Sequence, residues 1–416
     1  MAWNLFTVYI ILALTFGYTL IMAETSLGRM TRKSPVGAFE SFGNSRFISI
    51  GGWINATIPI LIVPYYSVIG GWVIKYLIEY FAGHSKTLAG DAYFTTFISN
   101  GWSTEICFII FTLFTLGIIY AGVRNGIERV SKFMMPILIV LSLIIAVYSV
   151  TRPGAIEGVK YFLVPNFDHF SWMTVVSAMG QMFYSLSIAM GILITFGSYM
   201  KKDTSIEKST ENVEIFDTAI AIMAGLMIIP AVFAFSGGNA ETLKSGPALM
   251  FITIPKVFAN MGFGTAIGVV FFLLVLFAAV TSSIALTESA VSTFEDELHW
   301  SRKKSTVFMG MVMLLLGTLS CLGYGPLANF KILGMQFLDF FDFITNSVMM
   351  PIAAIATCLL VSKVVGVDKI EEEIKKDGQA FRRKKIFCFM IKYLCPLFAA
   401  IILISSVANA FGIITM

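Results

Sequence analysis

Ten apolar runs, each long enough to cross a lipid bilayer, take up most of this chain. They lie near residues 5–27, 52–81, 104–123, 133–150, 172–199, 214–236, 264–292, 305–324, 337–362 and 386–412. About 20 apolar residues cross the hydrocarbon of a bilayer. Backbone amides cannot stay unpaired there, so spans of this composition are helices. Several runs exceed the minimum and have room to tilt. The expected fold is all-α: a polytopic membrane protein of about ten transmembrane helices. Only 13% of the 416 residues are charged, whereas a soluble domain carries roughly a quarter. No detached soluble domain is visible, and residues 1–416 read as one transmembrane domain.

The basic residues orient the bundle. If the first run ends in the cytoplasm, that side holds Arg29, Arg32, Lys33, Arg46, Arg124, Arg129, Lys132, Lys201, Lys202, Lys208 and Arg302 to Lys304. Eight more lie in the loop at 363–385, so 21 of the 29 Lys and Arg residues fall on one side. Such a bias is the positive-inside signature. Arg382-Arg383-Lys384-Lys385 reads most simply as a stop at the cytoplasmic face. These charges flank spans and do not interleave with aromatics, so no nucleic-acid partner is expected.

Enzyme chemistry finds no footing. The histidines are His84, His169 and His299, all in predicted loops. There is no HExxH, and no Ser and His pair within the spans. Cys107, Cys321, Cys358, Cys388 and Cys395 fall in or beside apolar runs without metal-ligand spacing and read as packing thiols.

Three polar clusters interrupt the apolar runs. In the fifth run, Gly180 and Gln181 lead through Tyr184, Ser185, Ser187 and Met190 to Gly191. A helix broken there would turn carbonyls and hydroxyls into a cavity, where they suit a sodium ion. A packed interface of small residues has the same composition. In the seventh run, the Ala278 carbonyl, Thr281 and Ser282 share one helical turn and offer three oxygens to a small hard cation, or a close packing seam. In the second run, Pro59 and Pro64 each remove a backbone donor next to Tyr65 and Tyr66. A phenol at that depth needs a partner, and Tyr66 could donate to a substrate carboxylate. Acids within spans are costly and point to function. Glu24, Asp217, Glu288 and Asp342 are the candidates, with an interfacial position the plain alternative for Glu24, Asp217 and Asp342.

Taken in order, these segments resemble the neurotransmitter:sodium symporter family, in particular its bacterial LeuT-type members. The matching stretches begin with Ala23-Glu24-Thr25-Ser26-Leu27-Gly28-Arg29, Gly126-Ile127-Glu128-Arg129, Met134-Met135-Pro136 and Arg152-Pro153-Gly154-Ala155. They continue with Gly180-Gln181 through Gly191, Ala224-Gly225, Ile229 to Phe233, Thr281-Ser282-Ser283-Ile284-Ala285 and Phe294-Glu295-Asp296-Glu297. The resemblance implies an inverted-repeat helical bundle that carries amino acids or related zwitterions with sodium as the co-transported ion.

It also implies site residues. Ala278, Thr281 and Ser282 match one sodium site and Ser185 the other. Tyr66 matches the tyrosine that holds the substrate carboxylate, while Ile62, Tyr184, Ser187, Met190 and Leu286 match the pocket lining, and Ser185 is counted with the substrate site as well. Asp342 matches the acid of the extracellular gate, and Glu24 an acid that braces the unwound segment. Tyr9, Gln181 and Ser185 match three ligands of the chloride site of chloride-dependent relatives. Asp217 falls near the fourth, with Glu214 one turn away, so a fixed carboxylate is expected to replace chloride. The apolar lining suggests a neutral amino acid, and the localisation expected is the plasma (inner) membrane.

One departure stands out. The family's first helix, which supplies sodium ligands and the arginine partner of the gate acid, has no counterpart before the first run. The expectation from the residues is a truncated or degenerate chain, possibly inactive. A non-transporting amino-acid sensor is the rival to the transporter.

Overall fold

A computed structural model describes residues 2–164, 172–238 and 246–413 of the protein. Among them, nine helices are long and apolar enough to cross a membrane. These are α1 (Leu5–Thr31), α2 (Arg46–Phe81), α3 (Gly101–Tyr120), α4 (Val123–Val150), α7 (Ile206–Ser236), α8 (Gly264–Leu298), α9 (Arg302–Leu322), α10 (Phe337–Val365) and α11 (Lys384–Ala410). The remaining apolar run is broken into α5 (Trp172–Ser185) and α6 (Ile192–Tyr199). The ten runs of the sequence are therefore nine continuous spans and one interrupted one. His169 lies outside the described residues.

The helices divide by burial. The most apolar stretch of α2 is 67% buried and the corresponding stretch of α7 only 28%, so α2 is an inner helix and α7 shows most of its surface to lipid. Helix α8 packs along α2, and α6 along α1. The α1–α6 contact is close because Gly28 faces the α6 backbone: a Cβ there would lie 2.0 Å from the Ile194 carbonyl oxygen. Helix α2 stays helical through Pro59 and Pro64, and its start is capped by Ser45, which accepts from the Phe47 amide at 3.3 Å. At 35 residues, α8 is about 50 Å long. It outreaches a hydrocarbon core of about 30 Å, which leaves room for its acidic end at Glu295–Glu297 to lie beyond the hydrocarbon.

The cytoplasmic side is covered by short segments. Pro35–Glu40 packs on α2. The helix Val367–Ile374 buries Val367, Ile370 and Ile374 and turns most of its charged residues outward.

Candidate ion and substrate site

The site is built around the interruption between α5 and α6. From Leu186 to Gly191 the chain leaves the helix, and Ser187 (φ 53°), Ala189 (φ 58°) and Gly191 (φ 70°) adopt left-handed conformations. Such a conformation costs a residue with a Cβ roughly 1–2 kcal/mol, so something must hold Ser187 and Ala189. One support is local: the Leu186 and Ile188 amides donate to Met182 O at 3.0 Å and Phe183 O at 3.2 Å. The other is Glu24 of α1, whose Oε1 accepts the Ala189 amide proton at 2.8 Å. Glu24 is fully buried, which removes the interfacial alternative. Its Oε2 has no hydrogen-bond partner among the described residues. At Gly191 the chain needs both a positive φ and the missing side chain, since a Cβ would lie 2.7 Å from Pro35 Cγ and 2.9 Å from Asn55 O.

Beside the break lies a cavity of about 60 Å³, lined by Ile62, Tyr66, Tyr184, Ser187, Met190, Ile192, Ser282, Ala285 and Leu286. Six residues singled out for the substrate thus meet on one surface: Ile62, Tyr66, Tyr184, Ser187, Met190 and Leu286. Tyr66 of α2 and Ser282 of α8 both line it, so the broken helix, α2 and α8 offer polar atoms to a single space. The volume exceeds the 10–15 Å³ or so that one water needs on the same measure.

Not every candidate joins this cavity. Thr281 donates to the Ala278 carbonyl at 3.0 Å and to the Phe277 carbonyl at 3.1 Å. It is turned back on its own helix, beside but not within the cavity lining. Ser185 belongs to a second cluster. Its hydroxyl donates to Asp217 Oδ1 at 2.6 Å and lies 3.0 Å from the Tyr9 hydroxyl, which donates to Asp217 Oδ2. Asp217, not Glu214, is the carboxylate beside Tyr9 and Ser185; Glu214 instead accepts from Arg383 at 3.0 Å. Gln181 is exposed and lines a different cavity, together with Tyr184, Asp342 and Asn346.

Sequence reasoning missed several partners. Asp342 accepts from Tyr65 at 3.2 Å and from Asn346 at 2.6 Å. Consecutive residues point about 100° apart on a helix, so Tyr65 faces Asp342 while Tyr66 faces the cavity. On the cytoplasmic side, the buried Glu288 accepts from Tyr199 at 2.7 Å and from Arg302 at 2.5 Å. The acid within a span was a readable signal, but its two partners were not.

A helix interrupted at membrane depth, with its freed backbone and hydroxyls facing a cavity, defines the broken-helix class of secondary transporters. The family model described as "Sodium:neurotransmitter symporter family" matches residues 78–413. The chain belongs to that family: it is a sodium-coupled membrane symporter with the LeuT-type fold, and not an enzyme. It is 31% identical over 413 residues to "Uncharacterized sodium-dependent transporter YhdH" of Bacillus subtilis, covering 99% of this chain and 90% of that one. It is 29% identical to an "Uncharacterized sodium-dependent transporter" of Haemophilus influenzae, over 96% of this chain and 89% of the relative. Among solved structures, "MhsT in complex with L-phenylalanine" superposes with a TM-score of 0.86 at 31% identity, covering 97% of this chain and 92% of that one.

Proposed function

We propose that the protein carries a neutral amino acid inward across the plasma membrane, driven by the sodium gradient, with residues 1–416 acting as one transmembrane unit. The observation that carries this reading is the convergence of Ser187, Tyr66 and Ser282 on one cavity beside the helix break. The interruption frees backbone carbonyls, Tyr66 supplies a donor to a substrate carboxylate, and Ile62, Met190 and Leu286 supply an apolar wall. That wall favours an uncharged side chain. The solved relative with bound L-phenylalanine supports an amino acid as the substrate.

In this reading sodium is cargo, held by oxygens alone. Ala278 O, Thr281 and Ser282 form one site once Thr281 turns away from its own helix, and Ser185 contributes to the other. Asp217, beside Ser185, is a fixed negative charge that balances sodium, so chloride is not required. Asp342 with Tyr65 closes the outer side, and Glu24 braces the break.

The test is uptake of labelled neutral amino acids into proteoliposomes under an inward sodium gradient. Accumulation with sodium and not with potassium is expected. Saturable, sodium-dependent binding without flux would overturn the reading in favour of a sensor.

A further inference from the structure

Away from the substrate cavity, the start of α4 and the end of α6 form an open cavity of about 740 Å³ lined by Arg124, Glu128, Arg129, Lys132, Tyr199 and Lys201. Four cations face one carboxylate. Glu128 is paired with Lys132 at 2.6 Å. The side chains of Arg124, Arg129 and Lys201 make no hydrogen bond or ion pair among the described residues; Arg124 and Lys201 meet Glu128 only through space. All four cations lie on the cytoplasmic side by the positive-inside bias. Lysines and arginines there ordinarily just flank spans. These differ in lining a concave space with most of their charge unused.

A second feature says what fits. Arg129 also lines an apolar groove of about 360 Å³, together with Phe114, Phe133, Met134, Phe277 and Val280. Phe114 and Phe133 are 55% and 65% exposed. A free phosphate would use the basic cavity and leave the groove bare. An anionic phospholipid uses both, because its phosphate and its acyl chains are joined as the cavity and the groove are.

We propose that this pair of surfaces binds one anionic phospholipid of the cytoplasmic leaflet, with its phosphate against Arg124, Arg129 and Lys201 and an acyl chain along Phe133, Phe277 and Val280. Lys201 follows Tyr199 by two residues, and Tyr199 donates to Glu288 of α8. A phosphate shared by α4 and Lys201 therefore ties the end of the inner half-helix to its neighbour where Tyr199 rests on Glu288. Bound lipid favours that arrangement by as much as its affinity differs between conformations. The binding does not depend on what the transporter carries.

The experiment titrates the detergent-purified full chain with phosphatidylglycerol, phosphatidylcholine and inorganic phosphate, and counts retained lipid by native mass spectrometry. One phosphatidylglycerol per chain is expected, with phosphatidylcholine retained far less and inorganic phosphate a poor competitor. The double variant Arg124→Gln/Lys201→Gln should lose about thirtyfold in affinity, since each cation near an anionic lipid contributes about 1 kcal/mol and 1.4 kcal/mol is tenfold. Phe133→Ala should weaken long-chain phosphatidylglycerol and leave a dihexanoyl analogue unchanged. Equal retention of phosphatidylcholine overturns the proposal without any variant. Competition by inorganic phosphate at equal potency overturns it in favour of a free-anion site. Lipid retention unaltered by the double substitution overturns it as well.

Discussion

Glu24 and Ala189 are 165 positions apart in the chain, yet the carboxylate of one accepts the amide proton of the other at 2.8 Å. This bond fastens the left-handed turn of the broken helix to the first span. It lets a residue with a Cβ keep a φ of 58° between Ser187 and Met190, which line the cavity.

A substitution series at Glu24 separates the acceptor from the charge. A hydrogen bond contributes roughly 0.5–1.5 kcal/mol net, and a buried amide left without an acceptor adds a penalty of about 1–3 kcal/mol. Glu24→Ala should lower the melting temperature and abolish most uptake. Glu24→Gln keeps an acceptor oxygen and should retain most of the thermal stability. Melting in detergent and initial uptake rates check this. Equal damage from both variants would mean that the charge, not the acceptor, holds the break.

In the proposed reading Asp217 sets the ion requirement. Its two oxygens take hydrogen bonds from Tyr9 and Ser185, so a unit negative charge is fixed where Ser185 would contact sodium. At an effective dielectric constant of about 20, two charges 4 Å apart interact by about 4 kcal/mol. Uptake by the wild type should be the same in gluconate as in chloride. Asp217→Ser should raise the sodium concentration for half-maximal uptake by at least about tenfold, and chloride should restore part of the loss. A strict chloride requirement in the wild type would refute this role.

Much of the architecture is legible in the residues because the bilayer is a severe solvent. Apolar runs of the required length can only be helices there, and the break at 186–191 coincides with the run that carries Gly180, Ser185, Ser187 and Gly191. The partners are less legible. Nothing in the order of residues says that Tyr65 turns to Asp342 while Tyr66 turns to Ser282, because that depends on how α2 is rotated against α10 and α8. Nor does the sequence separate Asp217 from Glu214, three residues apart and both near the cytoplasmic end of α7. Only packing sends the first to Ser185 and the second to Arg383.

Ser282 tests the ion reading from the α8 side. It lines the cavity together with Tyr66. Ser282→Ala removes an oxygen ligand and should raise the half-maximal sodium concentration, on the order of tenfold if one ligand is worth about 1.4 kcal/mol. Tyr66→Phe should instead raise KM for the amino acid while the sodium dependence stays close to wild type. Initial-rate uptake at varied sodium and varied substrate separates the two. A sodium dependence unaltered in Ser282→Ala would remove α8 from the ion site.

Arg29 couples the same machinery to the cytoplasmic surface. Its side chain is 1% exposed and that of Glu373 3%, with Nε 2.7 Å from Oε1. The guanidinium also donates to the Glu373 carbonyl and, at 2.6 Å, to Thr204 O. One residue thus ties the end of α1 to the helix Val367–Ile374 and to the segment leading into α7. Breaking a buried pair by removing one partner costs about 3–5 kcal/mol, because the other charge is stranded. Arg29→Ala should therefore lower the melting temperature sharply, with Lys376 only partly compensating Glu373. Arg29→Lys should fall between, since an ammonium does not reproduce the planar fork. The double variant Arg29→Met/Glu373→Leu strands no charge and should recover most of the loss, so the two substitutions will be strongly non-additive in a double-mutant cycle. Additive effects would show that the two side chains act separately. Glu24 lies five residues before Arg29 on the same helix, so releasing this clasp also frees the carboxylate that holds Ala189. Uptake in Arg29→Ala should then fall at temperatures where the protein is still folded, and in the double variant it should return with the stability.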